Sequence, residues 1–386
     1  MKKVEQIIMA GFVVNLVSMG VARFAYTPLL PAMLSDGLNL DGAGMIASLN
    51  YVGYLVGAVL SITVSSVLAQ KWMFRIGMIL CLLTTFLMAW GDSIVIWSAV
   101  RFFAGLGSAI TMIVGSAIVL KLLVKHNEAK KVPIQFAGVG LGIAVSGAVA
   151  MLLVFDGDWR LGWISLGLFS LIVTPYAMWV IEHNSVETSS INNTNSNVNN
   201  KLPMFVWFLC AAYFCEGIGY VVSGTFLPTI IEKIPGLQGT GYSIWIVVGL
   251  AAAPSCLFWA KMAHKLGDVE AIMVALLVQA VGVIIPVFAD SAFLNILGAF
   301  LYGGTFLGIV SMTLSFGGRL GSANPAQTMG ILTVAFGVGQ VIGPIYATAL
   351  TNWQNSYDAA LIVTVAIILL GWTILMMGKR SLLVNY

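Results

Sequence analysis

The stretch GVARFAYTPLLP, residues 20–31, sets the terms for the whole chain. It puts Arg23 in an apolar run with no acidic residue between Glu5 and Asp36. A guanidinium at bilayer depth is costly and normally faces a bundle interior or a watery path. The arginine therefore implies a bundle around it and something polar to meet.

The surrounding sequence agrees. Of 386 residues, 59% are hydrophobic and 9% charged, the profile of an all-α polytopic membrane protein. Twelve apolar segments are each long enough to cross a ~30 Å core with some tilt, at about 5–34, 42–69, 74–91, 93–124, 134–155, 161–181, 203–231, 241–263, 271–289, 291–318, 325–352 and 357–378. The run 182–202 is polar (SSINNTNSNVNN at its centre) and cannot bury enough apolar surface to fold. It is expected to be a cytoplasmic linker between two six-helix halves, 1–181 and 203–386. The N-terminal segment is too long for a cleavable signal and is expected to be the first span.

Basic residues set orientation. One set of connectors carries Lys2, Lys3, Lys71, Arg75, Lys121, Lys125, Lys130, Lys131, Lys201, Lys261, Lys265, Arg319, Lys379 and Arg380; the other carries Arg160 and Lys233. Both termini and the linker are thus expected in the cytoplasm. The net charge of +3 is small and most basic residues fall in short connectors, which argues against nucleic acid as a partner. Cys81, Cys210, Cys215 and Cys256 all lie in apolar runs, without metal-ligand spacing. No metal or cofactor is expected, nor is nucleotide-driven pumping, since no GxxxxGK[ST] motif occurs. No intramembrane His, Asp or nucleophile set suits an enzyme.

An internal repeat supports the two halves. At an offset of 197, GVARFAYTPLLP lies over GIGYVVSGTFLP (217–228), matching Gly20 with Gly217, Leu30 with Leu227 and Pro31 with Pro228. The same register sets Met19 over Glu216, Arg23 over Tyr220 and Tyr26 over Ser223. Parallel six-helix repeats build transporters whose site lies at the midplane between them.

With that repeat the chain resembles the major facilitator superfamily over essentially its whole length. The family's loop motif G-x-L-A-D-R-x-G-R-[KR] is represented by SVLAQKWMFR (66–75), which keeps Leu68, Ala69, Lys71 and Arg75 but has Gln70 for the aspartate. Its second copy, AKMAHKLG (260–267), keeps Ala263, Lys265 and Gly267. Arg101, Gly105, Gly107 and Ala109 match the family's R-x-x-x-G-x-G-x-A. Gly138, Gly142 and Gly147 match part of the antiporter motif of the fifth span, with Ile143 in place of its proline. Gly339, Gly343 and Pro344 punctuate the eleventh span. The wording of the first two spans is similar to the YbfB/YjiJ-like bacterial branch. The resemblance implies the major facilitator fold, a bacterial inner-membrane location, alternating access, gating or packing roles for these motif residues, and first and fourth spans of each half that line the central path.

The candidate site follows. At ~100° per residue, Asn15, Met19, Arg23 and Tyr26 share one arc of the first span, and Tyr213, Glu216, Tyr220 and Ser223 a similar arc of the seventh. Arg23 and Arg101 fall at similar depth, with Glu216 about one turn deeper. Expected substrate-binding residues are Arg23, Tyr26, Asn50, Arg101, Tyr220, Tyr302 and Gln340. Glu216, the one acid in the middle of any span, is the expected proton-coupling group: burial opposes its charge, whereas a nearby arginine would favour it. Two other outcomes are that Arg23 simply pairs with Glu216, and that Arg101 bonds backbone carbonyls of neighbouring spans. The sequence thus points to a monomeric secondary active transporter, with protons, the bilayer and an anionic or amphipathic small molecule as its partners. The alternatives are an uncoupled facilitator or a membrane sensor on the same scaffold.

Overall fold

In a bilayer every backbone N–H and C=O needs a partner within its own segment, which leaves helix as the solution for long apolar runs. The computed structural model is helical in this way, without strands among the described residues, which are 3–64, 66–154, 158–185, 202–321 and 325–383. Twelve helical bodies follow in order: α1 (Lys3–Ser35), α2 (Leu40–Thr63), α3 (Val67–Leu87), α4 (Ile94–Lys125), α5 (Ala137–Leu153), α6 (Trp159–Ser185), α7 (Met204–Lys233), α8 (Gly241–Leu266), α9 (Asp268–Phe288), α10 (Ala292–Leu320), α11 (Pro325–Gln354) and α12 (Asp358–Leu383). Eleven are long and apolar enough to cross a membrane; α3, with Gln70, Lys71 and Arg75 in its first turns, completes the set.

Two boundaries differ from expectation. The basic stretch 70–75 is helical, because Ser66 caps α3 upstream of it, its hydroxyl accepting from the Ala69 N–H at 3.2 Å. α6 runs on to Ser185, so the expected linker begins as helix; residues 186–201 of it lie outside the described residues.

Polarity is inverted relative to a soluble core. Ile172 and Phe288 are more than three-quarters exposed, whereas Arg23, Asn50, Arg101, Glu216, Gln279 and Gln340 are all buried. The most enclosed helices are α1 and α7: 78% and 72% of their apolar windows are buried, against 33% for α12. They form the axis on which the first six and last six helices meet.

The meeting follows the repeat. Across it α1 packs on α7, α2 on α11 and α5 on α8. Since α2 corresponds to α8 and α5 to α11, the last two pairs are images of each other. Close approach sustains them: at Gly44, where α2 meets α11, an added Cβ would lie 2.7 Å from the Thr348 side chain. At the end away from the termini polar bonds cross the contact. The Asn352 amide donates to Asp41 (2.6 Å), and the Ser48 hydroxyl donates to the Val341 carbonyl (3.0 Å). Toward the termini α4 and α10 make at most a grazing contact.

Ion pairs brace each half at the terminal end. Arg75 donates to both oxygens of Glu182, joining α3 to α6. Lys379 donates to Glu270 at 2.6 Å, joining α12 to α9. Glu182 and Lys379 stand at the 197-residue offset and Glu270 lies two residues from the position equivalent to Arg75, so the second brace resembles the first with its charges exchanged.

Candidate functional site

The site is built on a break in α1. A π-helical turn, Leu16–Val21, interrupts it, residues 22–25 form a turn, and α-helix resumes over Tyr26–Ser35. Local chemistry accounts for this. The Asn15 amide and Ser18 hydroxyl bond back to the carbonyls of Gly11 and Val14 (2.9 and 2.7 Å), which competes with the regular ladder. Pro28 has no N–H to give to the preceding turn. Gly20 and Gly142 let α1 and α5 touch backbone to backbone, for a Cβ on Gly142 would sit 2.7 Å from the Gly20 Cα. Such π-bulges cluster at functional sites.

The break frees the carbonyls of Ala22 and Arg23, and Arg101 of α4 takes both, its two terminal nitrogens donating at 2.6 Å each. Its guanidinium also lies 5.2 Å from the Tyr26 ring centroid. Both terminal nitrogens of Arg101 are thus on α1 carbonyls, the second of the two outcomes the sequence left open for it. The second half repeats the device with another residue. The Tyr302 hydroxyl of α10 donates to the Tyr220 carbonyl at 2.9 Å, and residue 220 is the repeat partner of residue 23.

Held this way, Arg23 projects onto the axis between the halves. Its guanidinium donates to the Tyr220 hydroxyl (3.2 Å), and one nitrogen lies 3.9 Å from the Met19 sulfur. It lies 4.0 Å from the ring centroid of Tyr54, 5.0 Å from that of Tyr51 and 5.5 Å from that of Phe24. Nε has no partner, and no carboxylate among the described residues pairs with the charge. Tyr220 in turn accepts from the Gln340 amide at 2.8 Å, leaving Gln340 Oε1 buried without a partner. The Tyr220 ring lies within a ladder of near-parallel rings: Tyr213, Phe336, Tyr220, Phe306 and Tyr302, with successive centroids 4.3, 5.4, 5.8 and 5.5 Å apart.

Glu216 does not meet Arg23. Its two oxygens lie 2.9 and 3.1 Å from the Gln279 amide nitrogen of α9, because that side of α7 faces the last six helices and away from the axis. Gln279 Oε1 is left buried and unpartnered. A carboxylic acid O–H is the donor that would complete the pair, acid and amide then bonding each other twice.

The other expected residues serve mainly as ties. The Tyr26 hydroxyl donates to the Ala43 carbonyl of α2 (3.1 Å), and the Asn50 amide donates to the Arg101 carbonyl (2.8 Å). Gly105, Gly138, Gly147, Gly339 and Gly343 lie against neighbouring helices, Gly105 on the Asn50 carbonyl. Pro344 lies within α11 beside Gly44. Lys71 is in the first turns of α3; its neighbour Gln70 accepts from Lys121 at 3.1 Å. Lys265 is exposed at the end of α8, and Gly267 makes the following turn at φ +97°, which suits glycine.

Sequence reasoning missed Tyr54, Gln279, Phe306 and Phe336 as site residues. Gln279 was detectable as the one polar residue inside 271–289, and Tyr51 with Tyr54 as neighbours three apart on one helix face.

A cavity of about 1080 Å³ opens at the end away from the termini, lined by Pro31, Thr229, Lys233, Pro286, Thr351 and Tyr357 among others. Over the stretch between it and Arg23 two polar contacts cross from the first half to α7: the Thr27 hydroxyl donates to the Gly224 carbonyl (2.6 Å), and the Tyr51 and Thr225 hydroxyls lie 3.3 Å apart. The arrangement is thus a vestibule, contacts between the halves beneath it, and a buried cation in an aromatic surround.

Known proteins share the fold. The nucleoside transporter NupG superposes with a TM-score of 0.75 over 96% of this chain and 99% of its own, at 12% identity, which shows the fold. The uncharacterised MFS-type transporter YtbD of Bacillus subtilis (strain 168) is 20% identical over 383 residues, 94% of each chain. A gentisate transporter of Corynebacterium glutamicum is 22% identical over 351 residues, 86% of this chain and 78% of its own. The family model described as "Uncharacterised MFS-type transporter YbfB" matches residues 15–376. The chain accordingly belongs to the YbfB-like family of major facilitator transporters, multi-pass proteins of the membrane.

Proposed function

We propose that this transporter moves a small anionic molecule across a bacterial inner membrane by alternating access, with its termini in the cytoplasm and with coupling to protons. The observation that carries the reading is the buried cation of Arg23 on the axis between halves, without a carboxylate partner among the described residues. A guanidinium without a counter-ion is suited to a solute that supplies one. Arg101, with both terminal nitrogens on carbonyls, holds the break that presents Arg23. The name of one relative agrees: gentisate is an aromatic carboxylate.

Glu216 is the proton-carrying group in this reading. The orphan Gln279 Oε1 supports a protonated acid in the present arrangement. Movement of α7 against α9 would break the acid–amide pair and let the proton leave. The motif glycines of α5 favour export by their resemblance to the antiporter pattern. The test is flux of a panel of organic anions in proteoliposomes with and without an imposed pH gradient. Accumulation that follows the gradient supports coupled transport. Gradient-independent equilibration would indicate an uncoupled facilitator, and ligand binding without flux would indicate a sensor.

A further inference from the structure

We infer that the Arg23 site takes a hydroxylated aromatic monocarboxylate, its carboxylate on the Arg23 guanidinium, its ring against the aromatic ladder of α7, α10 and α11, and its hydroxyl on Gln340. The inference rests on the transport reading and narrows its substrate class.

Three features of the site each restrict the ligand. Charge comes first. Among the described residues the buried cations at this level are Arg23 and Arg101, and Arg101 has both terminal nitrogens on carbonyls. One cation remains, with its Nε unspent, which balances a monoanion. A phosphate or dicarboxylate would bring a second negative charge into a buried place with nothing to meet it.

Surface comes second. Around the guanidinium stand the Phe24, Tyr51 and Tyr54 rings of the first half, and from the second comes Tyr220, which it bonds and whose ring Phe336 and Phe306 flank. A polyol would find few hydrogen-bonding partners on such walls, whereas a planar ring stacks on them.

The third feature is an unanswered acceptor. Gln340 Oε1 is buried and unpartnered, while its amide nitrogen and the Arg23 guanidinium both reach the Tyr220 hydroxyl. A donor on the ligand ring, set away from the carboxylate, would satisfy it. Tyr220 itself illustrates the preferred stereochemistry: a ring stacked between Phe306 and Phe336 with an oxygen at its edge, touched by both Arg23 and Gln340. The ligand carboxylate would replace that phenol on Arg23 as the halves part.

The test is calorimetric titration of the purified full-length protein in detergent with 4-hydroxybenzoate, 4-hydroxybenzamide, cyclohexanecarboxylate and phthalate, together with flux of 4-hydroxybenzoate in proteoliposomes. The expected result is saturable binding of 4-hydroxybenzoate, with each of the other three at least tenfold weaker. Gln340→Leu, which removes the acceptor for the ring hydroxyl, should weaken 4-hydroxybenzoate binding about tenfold, and Arg23→Gln should remove its advantage over 4-hydroxybenzamide; both variants are checked for folding by their melting profiles. Equal binding of cyclohexanecarboxylate, or of the neutral amide, would overturn the inference. So would absence of 4-hydroxybenzoate binding in a preparation that transports another solute, in which case the transport reading stands. Binding of 4-hydroxybenzoate without any flux supports the ligand class and overturns transport.

Discussion

The Arg23 guanidinium and the Tyr220 hydroxyl, 197 positions apart and 3.2 Å from contact atom to contact atom, are repeat partners that touch each other. One turn on, Thr27 and Gly224 do the same at the same separation. Equivalent residues of two repeats can touch only beside the axis that relates them. These contacts therefore mark the pseudo-twofold, and any rocking of one half against the other must change them. The axis is also where the chain keeps a buried charge that no carboxylate answers.

The two buried arginines should respond oppositely to removal. Arg101→Met forfeits two charge-assisted bonds to carbonyls, each worth about 1.5–3 kcal/mol, and strands both carbonyls. It should lower the melting temperature sharply. Arg23→Met gives up ring contacts of about 0.5–2 kcal/mol but relieves the desolvation of an unpaired cation. Its ligand-free melting temperature should match or exceed that of the wild type. A fall equal to that of Arg101→Met would make Arg23 a structural residue.

Glu216→Gln should fold normally. A glutamine at 216 can donate to Gln279 Oε1 and accept from its nitrogen, completing the pair as a protonated acid would. Binding should persist, while flux should lose its dependence on a pH gradient. Gradient-driven accumulation that survives the substitution would remove Glu216 from the coupling mechanism.

The charge-exchanged braces offer a check on the repeat. Arg75→Glu sets two acids together and should destabilise the protein modestly, as loss of a partly exposed pair does. Adding Glu182→Arg should restore the loss and give α3 and α6 the charge order that α9 and α12 already have. Melting temperatures of the single and double variants read this directly; no recovery in the double variant would deny the brace a role.

Much of this was legible in the sequence because the bilayer imposes few solutions. Twelve apolar runs and a 197-residue register sufficed to put Arg23 opposite Tyr220. Polar strips at helical spacing, however, do not say which neighbour each side chain meets. Arg101 lies level with Arg23, as its position along α4 implies, yet its target is a pair of carbonyls that exist only because α1 breaks, and a π-turn leaves little trace in composition. Glu216 shares an arc with Tyr220 but meets α9, since α7 is enclosed on all sides. The aromatic ladder escaped notice because Phe306 and Phe336 are ordinary residues in apolar runs, and only the packing of α7, α10 and α11 brings their planes together.

Alternating access around the Arg23–Tyr220 axis is most directly tested by locking the far end shut. Asp41 and Asn352 meet there across the halves at 2.6 Å, outside the candidate site. Cys81, Cys215 and Cys256 are buried and Cys210 partly so, which keeps the background low for an introduced pair. In Asp41→Cys/Asn352→Cys proteoliposomes, oxidation should abolish solute flux, and reduction should restore it to the level of the single variants. Undiminished flux through the cross-linked protein would contradict alternating access about this axis.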